Sequence, residues 1–272
     1  GRAGTRSEWN LAGRAWHTEH MGRAKRWAWW LGGGTVVFVG VVALGVLLLF
    51  RDSATPITRE EATFGLGSIE SGTEVGDTGL YVYETTGFET ASALGGGRHD
   101  YPGESFLSIT PGGCGTVYRW QVLEERWTEW HVCEDGTISH TVSFHQWFGI
   151  AERGEYPCGE GARIAPQDDE TEWSFTCVDE ATDTTIDWVY EVVGTETVDV
   201  AGEAVETLHP LPTETNDGRT NGNGTHHRWI LTDPYLVVKE RVAIDNTTES
   251  PVGGVDYVER YEIVLTSLTP GE

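Results

Sequence analysis

Residues 184–193 read TTIDWVYEVV, and this stretch decides the fold class. Apolar and polar side chains alternate along it, so Trp188 and Tyr190 share one face while Asp187 and Glu191 share the other. A period of two residues is typical of a strand with one buried and one solvated face. The stretch therefore predicts an antiparallel β-strand in the wall of a core.

The same pattern recurs along the rest of the chain, bounded by clusters of Gly, Pro, Asp and Asn. Ten strands are predicted, over residues 80–85, 116–123, 127–133, 137–148, 172–177, 184–193, 203–209, 227–232, 235–244 and 257–268. A single sheet with this many strands has to curl. We therefore predict an all-β domain over residues 77–272, built as a large curved antiparallel meander, half-barrel or barrel.

The four cysteines form two successive pairs with equal spacing, Cys114 with Cys133 and Cys158 with Cys177. Residues at this separation can face each other across the open end of a β-hairpin. The spacing predicts two hairpin disulfides, although four cysteines allow three connectivities. A Cys₄ zinc site is the rival interpretation, but zinc ribbons need CxxC-like knuckles, which the sequence lacks.

Residues 29–50, WWLGGGTVVFVGVVALGVLLLF, carry no charge. At about 1.5 Å per residue they would form a helix of roughly 33 Å, which covers a bilayer core of about 30 Å. The run exceeds the 7 to 15 apolar residues of a signal peptide, so it predicts one transmembrane helix. Met21 begins the basic sequence MGRAKR just before it and is a candidate translation start.

The charges differ on the two sides of this run. Residues 1–28 carry six basic and two acidic side chains, whereas the chain after Phe50 carries 12 basic and 41 acidic ones. Basic residues beside the first membrane segment predict a short cytoplasmic tail over residues 1–28 and an extracellular domain at the plasma membrane. The acidic domain argues against nucleic acid as a partner.

Three segments lack strand alternation. Residues 51–76 are rich in Thr, Ser, Glu and Gly and predict a flexible linker. Residues 87–113 and 213–225 are rich in glycine and polar residues and predict two loops.

The first of these loops holds the sequence RHDY directly after three glycines, and it is the one flexible segment that combines an acid, a base and a cation. Aromatic side chains of the domain can also line a sugar or lipid site. The candidate ligand-binding residues are Arg98, His99, Asp100, Tyr101, Trp120 and Trp188. No catalytic, metal or cofactor motif is present, so no catalytic residue, metal site or cofactor is predicted.

Two functional hypotheses follow. The first is a non-catalytic binding or envelope-assembly module, not an enzyme, whose concave sheet face holds an apolar ligand or an envelope protein. It predicts a pocket lined by aromatic side chains without convergent ionisable groups. The second is an extracytoplasmic hydrolase in which Arg98, His99 and Asp100 meet a downstream histidine such as His209 in one cleft.

The sequence also resembles known families. A basic start, one anchor and a tether, followed by GGGRHDYP at 95–102, GCGTVYRW at 113–120 and paired cysteines, is similar to a group of actinobacterial membrane-anchored extracytoplasmic proteins. The rhythm of residues 192–210 and 227–244, with the turn at 232–234, resembles carriers of the LolA type. The second resemblance implies a curved antiparallel sheet that carries lipid acyl chains on its concave face.

Overall fold

The computed structural model describes residues 52–64, 66, 72–251 and 253–271. The predicted tail at 1–28 and the predicted membrane helix at 29–50 lie outside these residues. Among the residues that are described, no helix is long and apolar enough to cross a bilayer.

The described residues form one short helix, one 3₁₀ turn and thirteen strands. In chain order they are α1 (Arg59–Phe64), β1 (Gly79–Ala91), the 3₁₀ turn (Ala93–Gly95), β2 (Gly97–Asp100), β3 (Glu104–Gly112), β4 (Gly115–Leu123), β5 (Arg126–Cys133), β6 (Ile138–Trp147), β7 (Ile150–Pro157), β8 (Glu172–Asp179), β9 (Thr184–Val200), β10 (Glu203–Gly218), β11 (Thr220–Thr232), β12 (Tyr235–Ser250) and β13 (Gly253–Leu265).

All strands belong to one antiparallel sheet with the order β7-β6-β5-β4-β3-β1-β13-β12-β11-β10-β9-β8. Strand β2 shares one edge of β1 with β3. Neighbours in the sheet are consecutive in the chain except at β1, which pairs with β3 on one edge and with the last strand, β13, on the other. The predicted curled antiparallel sheet is thus confirmed, and each of the ten predicted strands corresponds to an observed one.

The sheet curls until its two edge strands meet. Cys158, which follows β7, forms an isolated backbone bridge with Cys177 of β8. Beside it, the Glu155 amide donates a hydrogen bond of 3.2 Å to the Asp179 carboxylate. The result is a nearly closed barrel, and we call the β7–β8 junction the seam.

Both predicted disulfides are present. Cys114–Cys133 lies at the open end of the β4–β5 hairpin, where Gly115 pairs with Cys133. Cys158–Cys177 differs from the prediction in its setting, because it joins the two edges of the barrel at the seam rather than two strands of a regular hairpin ladder.

Both predicted loops were largely wrong. Residues 87–113 contain the end of β1 and the strands β2 and β3, and residues 213–225 belong to β10 and β11 except at their turn. Gly87 explains part of the first error. It has a φ of +152°, and a Cβ there would lie 2.4 Å from the Arg260 carbonyl oxygen, so glycine permits a close strand contact rather than a loop.

The structure differs from the predicted flexible linker at residues 52–64 and 66. Pro56 forms a backbone bridge with Leu123, and the Thr55 amide donates to the Glu125 carboxylate at 2.8 Å. Side chains of α1 and its flanks pack on the outer face of β1 and β3; this cluster comprises Ile57, Ala62, Leu66, Leu80, Val82 and Phe106. Apolar residues spaced among polar ones therefore dock on the sheet instead of forming a tether.

The barrel interior is filled by two apolar clusters. The larger one contains side chains of β1, β3, β4, β12 and β13, such as Tyr81, Leu107 and Leu236. The smaller one joins β5 and β6 to β8 and β9 near the seam, and contains Trp173 and Tyr190. Inward-facing apolar side chains on alternate positions of each strand supply both clusters, as the period of two predicted.

Candidate ligand-binding site in the barrel interior

A cavity lies inside the barrel and touches residues of both apolar clusters. Its volume is about 30 Å³. That is room for about two water molecules. Its walls are formed by Leu107, Tyr118, Trp130, Ile138, Ile164, Tyr190, Arg228, Tyr235, Val237 and Glu240.

Aromatic side chains from four strands form much of the wall. Tyr118 of β4 and Tyr235 of β12 pack edge to face with ring centroids 5.6 Å apart, although their strands are separated in the sheet. Burial raises the pKa of both tyrosines above the ordinary value, so their hydroxyls stay protonated. The wall is therefore apolar with a few hydroxyl groups that can donate or accept a hydrogen bond.

One ion pair completes the wall. Arg228 and Glu240 are register partners on β11 and β12, both buried, and Arg228 Nε lies 2.6 Å from Glu240 Oε1. Tyr190 accepts a hydrogen bond of 3.2 Å from Arg228 Nη1, and Tyr261 donates one of 3.3 Å to Glu240. Partners thus surround both charges, as burial requires.

His226 extends this ion pair along the strands. Its Nδ1 lies 3.3 Å from Glu240 Oε1 and its Nε2 lies 3.4 Å from Glu214 Oε2. Burial lowers the pKa of His226, but the two carboxylates outweigh that effect and raise it above the ordinary value. Burial raises the pKa of Glu240, but Arg228 and His226 outweigh it and lower the pKa to about 2. We call Glu214, His226, Arg228 and Glu240 the Glu240 cluster.

A second buried polar group lies on β1, β2, β5 and β13. Glu89 is the register partner of both Glu259 and His99, and all three are buried. Arg126 approaches from β5, and its guanidinium contacts Glu259 at 3.0 and 3.1 Å. We call Glu89, His99, Arg126 and Glu259 the Glu89 cluster.

Two histidines contact Glu89, the second carboxylate of this cluster. His99 Nδ1 lies 2.8 Å from Glu89, and His145 Nδ1 lies 3.5 Å from it. Burial raises the pKa of Glu89, but the hydrogen bonds with His145 and His99 outweigh it and lower the pKa to about 2. Burial lowers the pKa of His99, but Glu89 and Asp52 outweigh it and raise the pKa above the ordinary value.

The docked residues 52–64 and 66, which we call the N-terminal segment, contact the Glu89 cluster through Asp52. One carboxylate oxygen of Asp52 lies 3.1 Å from His99 Nε2, and the other accepts the Phe148 amide at 3.0 Å. Trp147 stacks on His99 with ring centroids 3.9 Å apart. Glu89, Asp52 and Trp147 therefore enclose His99, and His99 does not line the cavity.

The six predicted ligand-binding residues occupy three different environments. Arg98 and Asp100 form an exposed ion pair of 2.7 Å on β2, facing away from His99 because neighbours on a strand alternate. Tyr101 donates a hydrogen bond to Glu259, and Trp120 donates one of 2.9 Å to Ser105. His99, Tyr101 and Trp120 are thus core residues around the Glu89 cluster.

Trp188, the sixth, lies closer to the cavity. Its ring centroid is 6.1 Å from that of Tyr190 and 5.3 Å from that of His226. None of the six predicted residues lines the cavity itself. The six predicted residues do not include Tyr118, Trp130 and Tyr235, although alternation within residues 116–123 and 127–133 already places Tyr118 and Trp130 on inward faces.

The described residues show no contact of His209 with Arg98, His99 or Asp100 of the kind that the hydrolase hypothesis requires. His209 lies on β10, where its Nδ1 is 2.7 Å from Glu196 and its Nε2 is 3.3 Å from His227. These partners are not shared with His99, whose own partners are Glu89, Asp52 and Trp147. The cleft that this hypothesis requires is therefore not formed by these side chains.

Comparison with known proteins assigns no family. No family model and no curated protein matches the chain. Among solved structures the chain is similar to the hypothetical lipoprotein YmcC from Escherichia coli (K12), with a TM-score of 0.33 and 11% identity over 76% of this chain and 97% of that one. A similarity of this extent assigns neither a ligand nor an activity.

Proposed function

We propose that this protein is a membrane-tethered, non-catalytic binding module displayed outside the membrane, and that its ligand is an uncharged, mostly apolar molecule held in the barrel interior. The observation that carries the proposal is the cavity lined by aromatic side chains beside the Arg228–Glu240 ion pair. Concave, mainly apolar cavities with a few converging polar groups are the usual form of small-molecule sites.

The charge of the ligand follows from the charges around the cavity. Arg228 neutralises Glu240, and the raised pKa of His226 favours an imidazolium that neutralises Glu214. A charged ligand would bring an unpaired charge into this balanced interior, at a cost of several kcal/mol. An alcohol or amide would instead exchange hydrogen bonds with the tyrosine hydroxyls of the wall.

A binding role fits these residues better than catalysis. The ionisable groups of the cavity wall are engaged with one another, and Arg98, His99 and Asp100 face two different environments. The first hypothesis from sequence also expected no convergent ionisable groups at the pocket. That detail was wrong, because Arg228 and Glu240 line it.

The tether and the location rest on the sequence. The uncharged run at 29–50 and the basic residues before it support a single membrane anchor with the domain outside. Two disulfides support an oxidising compartment.

Photolabelling of the full chain in lipid nanodiscs tests the ligand class. The probe is a long-chain alcohol carrying a photoreactive diazirine, and labelled peptides are mapped by mass spectrometry. We expect label on strands that carry Tyr118, Trp130 and Tyr235, and competition by the unlabelled alcohol. The matching fatty acid, which is charged, should label these strands less.

A matched pair of variants locates the label. Ile138→Trp fills the cavity wall and should abolish most labelling of the interior, whereas Ile150→Trp changes an exposed isoleucine of the next strand and should leave it intact. Circular dichroism and thermal unfolding verify that both variants are folded. Label confined to the outer faces of the barrel, or equal labelling of the two variants, would refute an interior site and favour a protein partner.

A further inference from the structure

The seam is the junction between described strands of the barrel that no backbone ladder joins. Ladders join the other neighbours in the sheet order; the one between β6 and β7, for example, runs from His140–Pro157 to Trp147–Ile150. Between β7 and β8 the described residues show one isolated backbone bridge, at Cys158 and Cys177. Separating any other pair of neighbouring strands would leave a row of backbone N–H and C=O groups without hydrogen-bond partners. Opening the seam breaks few backbone hydrogen bonds.

Side chains hold the seam where the ladder is missing. The Cys158–Cys177 disulfide crosses it, and the Glu155 amide donates to Asp179 at 3.2 Å. Farther along β7, Glu152 forms an ion pair of 3.0 Å with Arg219, which lies in the β10–β11 turn. Both members of this pair are about half exposed or less, and such pairs contribute little to stability.

The segment that connects the two edge strands contributes one side of the cavity wall. Residues 159–171 follow Cys158, and within them Ala162 is buried and Ile164 forms part of the cavity wall. The segment is held on β6 by the Ile138 amide, which donates 2.9 Å to the Ala162 carbonyl, and by a bridge between Thr137 and Arg163. Displacing the segment would remove Ile164 from the cavity wall.

We infer that the barrel opens at the seam, with residues 159–171 moving as its cover, and that this opening is the route by which a ligand reaches the cavity. The route rests on the proposed function; the opening itself does not. A cavity of about 30 Å³ is too small for a chain or ring molecule, so binding requires the interior to widen. The Cys158–Cys177 disulfide ties the seam at one point and limits how far it opens.

The two disulfides provide a matched test, because both close loops with a sequence separation of 19. The seam variant is Cys158→Ser with Cys177→Ser, and the control is Cys114→Ser with Cys133→Ser, each in the full chain in nanodiscs. Chain entropy predicts similar global destabilisation for both. Only the seam variant should loosen the barrel junction.

Hydrogen exchange measures the opening without any ligand. In the seam variant the Gly159 amide, which donates to the Thr176 carbonyl at 2.8 Å, should exchange faster by up to about a hundredfold, the ceiling that chain entropy sets for a loop of this length. Amides of the β4–β5 ladder should not accelerate beyond the global change. If exchange of the Gly159 amide and of the β4–β5 amides accelerates equally in both variants, the inference is wrong.

Photolabelling with the long-chain alcohol measures the route. Interior label should appear faster in the seam variant than in the control. Interior label that forms at the same rate in both would overturn the route while leaving the proposed function intact. Absence of interior label in every protein, with seam-specific exchange still present, would refute the proposed function and the route but leave the opening established.

A milder pair of variants applies if the cysteine variants do not fold. Glu152→Gln removes the ion pair across the seam, whereas Glu155→Gln removes an ion pair with Arg153 on the same strand. Both glutamates are about half exposed on β7. Faster exchange of the Gly159 amide only in Glu152→Gln supports the opening, and identical exchange in the two proteins contradicts it.

Discussion

The Glu89 cluster and the Glu240 cluster contain the same side-chain types, yet of the two only the Glu240 cluster borders the cavity. Each places an arginine, two glutamates and a histidine inside the barrel. The Glu89 cluster is enclosed by Trp147, Tyr101 and Tyr257 and contacts the N-terminal segment. The Glu240 cluster presents Arg228 and Glu240 to a cavity. Buried charge marks a site only where space adjoins it.

The partners of the two arginines also differ. Glu259 has Arg126 as its close cationic partner, whereas Glu240 has both Arg228 and His226. Removing the arginine should therefore leave a more isolated charge in the first cluster than in the second. This difference makes the comparison open to direct tests.

The largest effect is expected from Arg126→Met. Leaving Glu259 buried without its cation should lower the free energy of unfolding by about 3–5 kcal/mol. Arg228→Met should cost less, because His226 remains beside Glu240. Urea unfolding of the full chain, followed by tryptophan fluorescence, gives both values. A larger loss for Arg228→Met would reverse our account of the two clusters.

Asp52→Ala should have the next largest effect. It removes the contacts between the N-terminal segment and the Glu89 cluster and keeps the other contacts of the segment. The loss of the contact with His99 and of the hydrogen bond from the Phe148 amide should cost about 1.5–3 kcal/mol. The same urea titration measures it. Hydrogen exchange at the Phe148 amide should rise in this variant, and an unchanged amide would argue that the segment is held elsewhere.

Stability should depend on pH through both clusters. The pKa values of His99 and His226 are raised in the folded state, so their contribution is complete below the unfolded value of about 6.5 and is lost as the pH rises through the folded values. The pKa values of Glu89 and Glu240 are lowered to about 2, so their contribution is lost as the pH falls below about 4.5.

We therefore expect a stability maximum in mildly acidic solution, measured as the urea midpoint across the pH range. His99→Gln and His226→Gln should each flatten the decline on the alkaline side. If neither variant changes the slope, the histidines are not protonated in the folded protein and the charge balance proposed for the cavity fails.

The smallest effect is expected from Asp100→Ala, outside both clusters. Its carboxylate is exposed and paired with Arg98 on the same strand, so its loss should change the free energy of unfolding by less than about 0.5 kcal/mol. Interior photolabelling should also be unchanged. A strong loss of labelling would return the RHDY sequence to the binding site and weaken the interior proposal.

Strands with a strong alternation of apolar and polar residues were predicted from the sequence. Strands rich in turn-forming or charged residues were not. Strands β2, β3 and β7 carry Gly, Pro and Ser or charged residues, which mark turns in other contexts. A helix start was also overlooked in residues 58–61, TREE. Thr58 and Glu61 exchange hydrogen bonds there as a capping box, a local signal that was available.

The candidate site was less predictable than the fold. Tyr118 and Trp130 could be placed on inward faces by their period of two. Their meeting with Tyr235 and Arg228 depends on which strands lie opposite each other once the sheet has curled. No pattern of neighbouring residues in the sequence indicates which side chains meet across the barrel.

The sequence by itself determined the all-β fold class, most strands and the pairing of the cysteines. Each of these follows from the chemistry of residues close in the chain: side-chain alternation, turn-forming residues and an equal spacing of 19. The tertiary structure alone decided that β1 pairs with β13, that Cys158–Cys177 closes a barrel and that Glu89 meets Glu259. These contacts join residues far apart in the chain, and the packing of the whole sheet selects them.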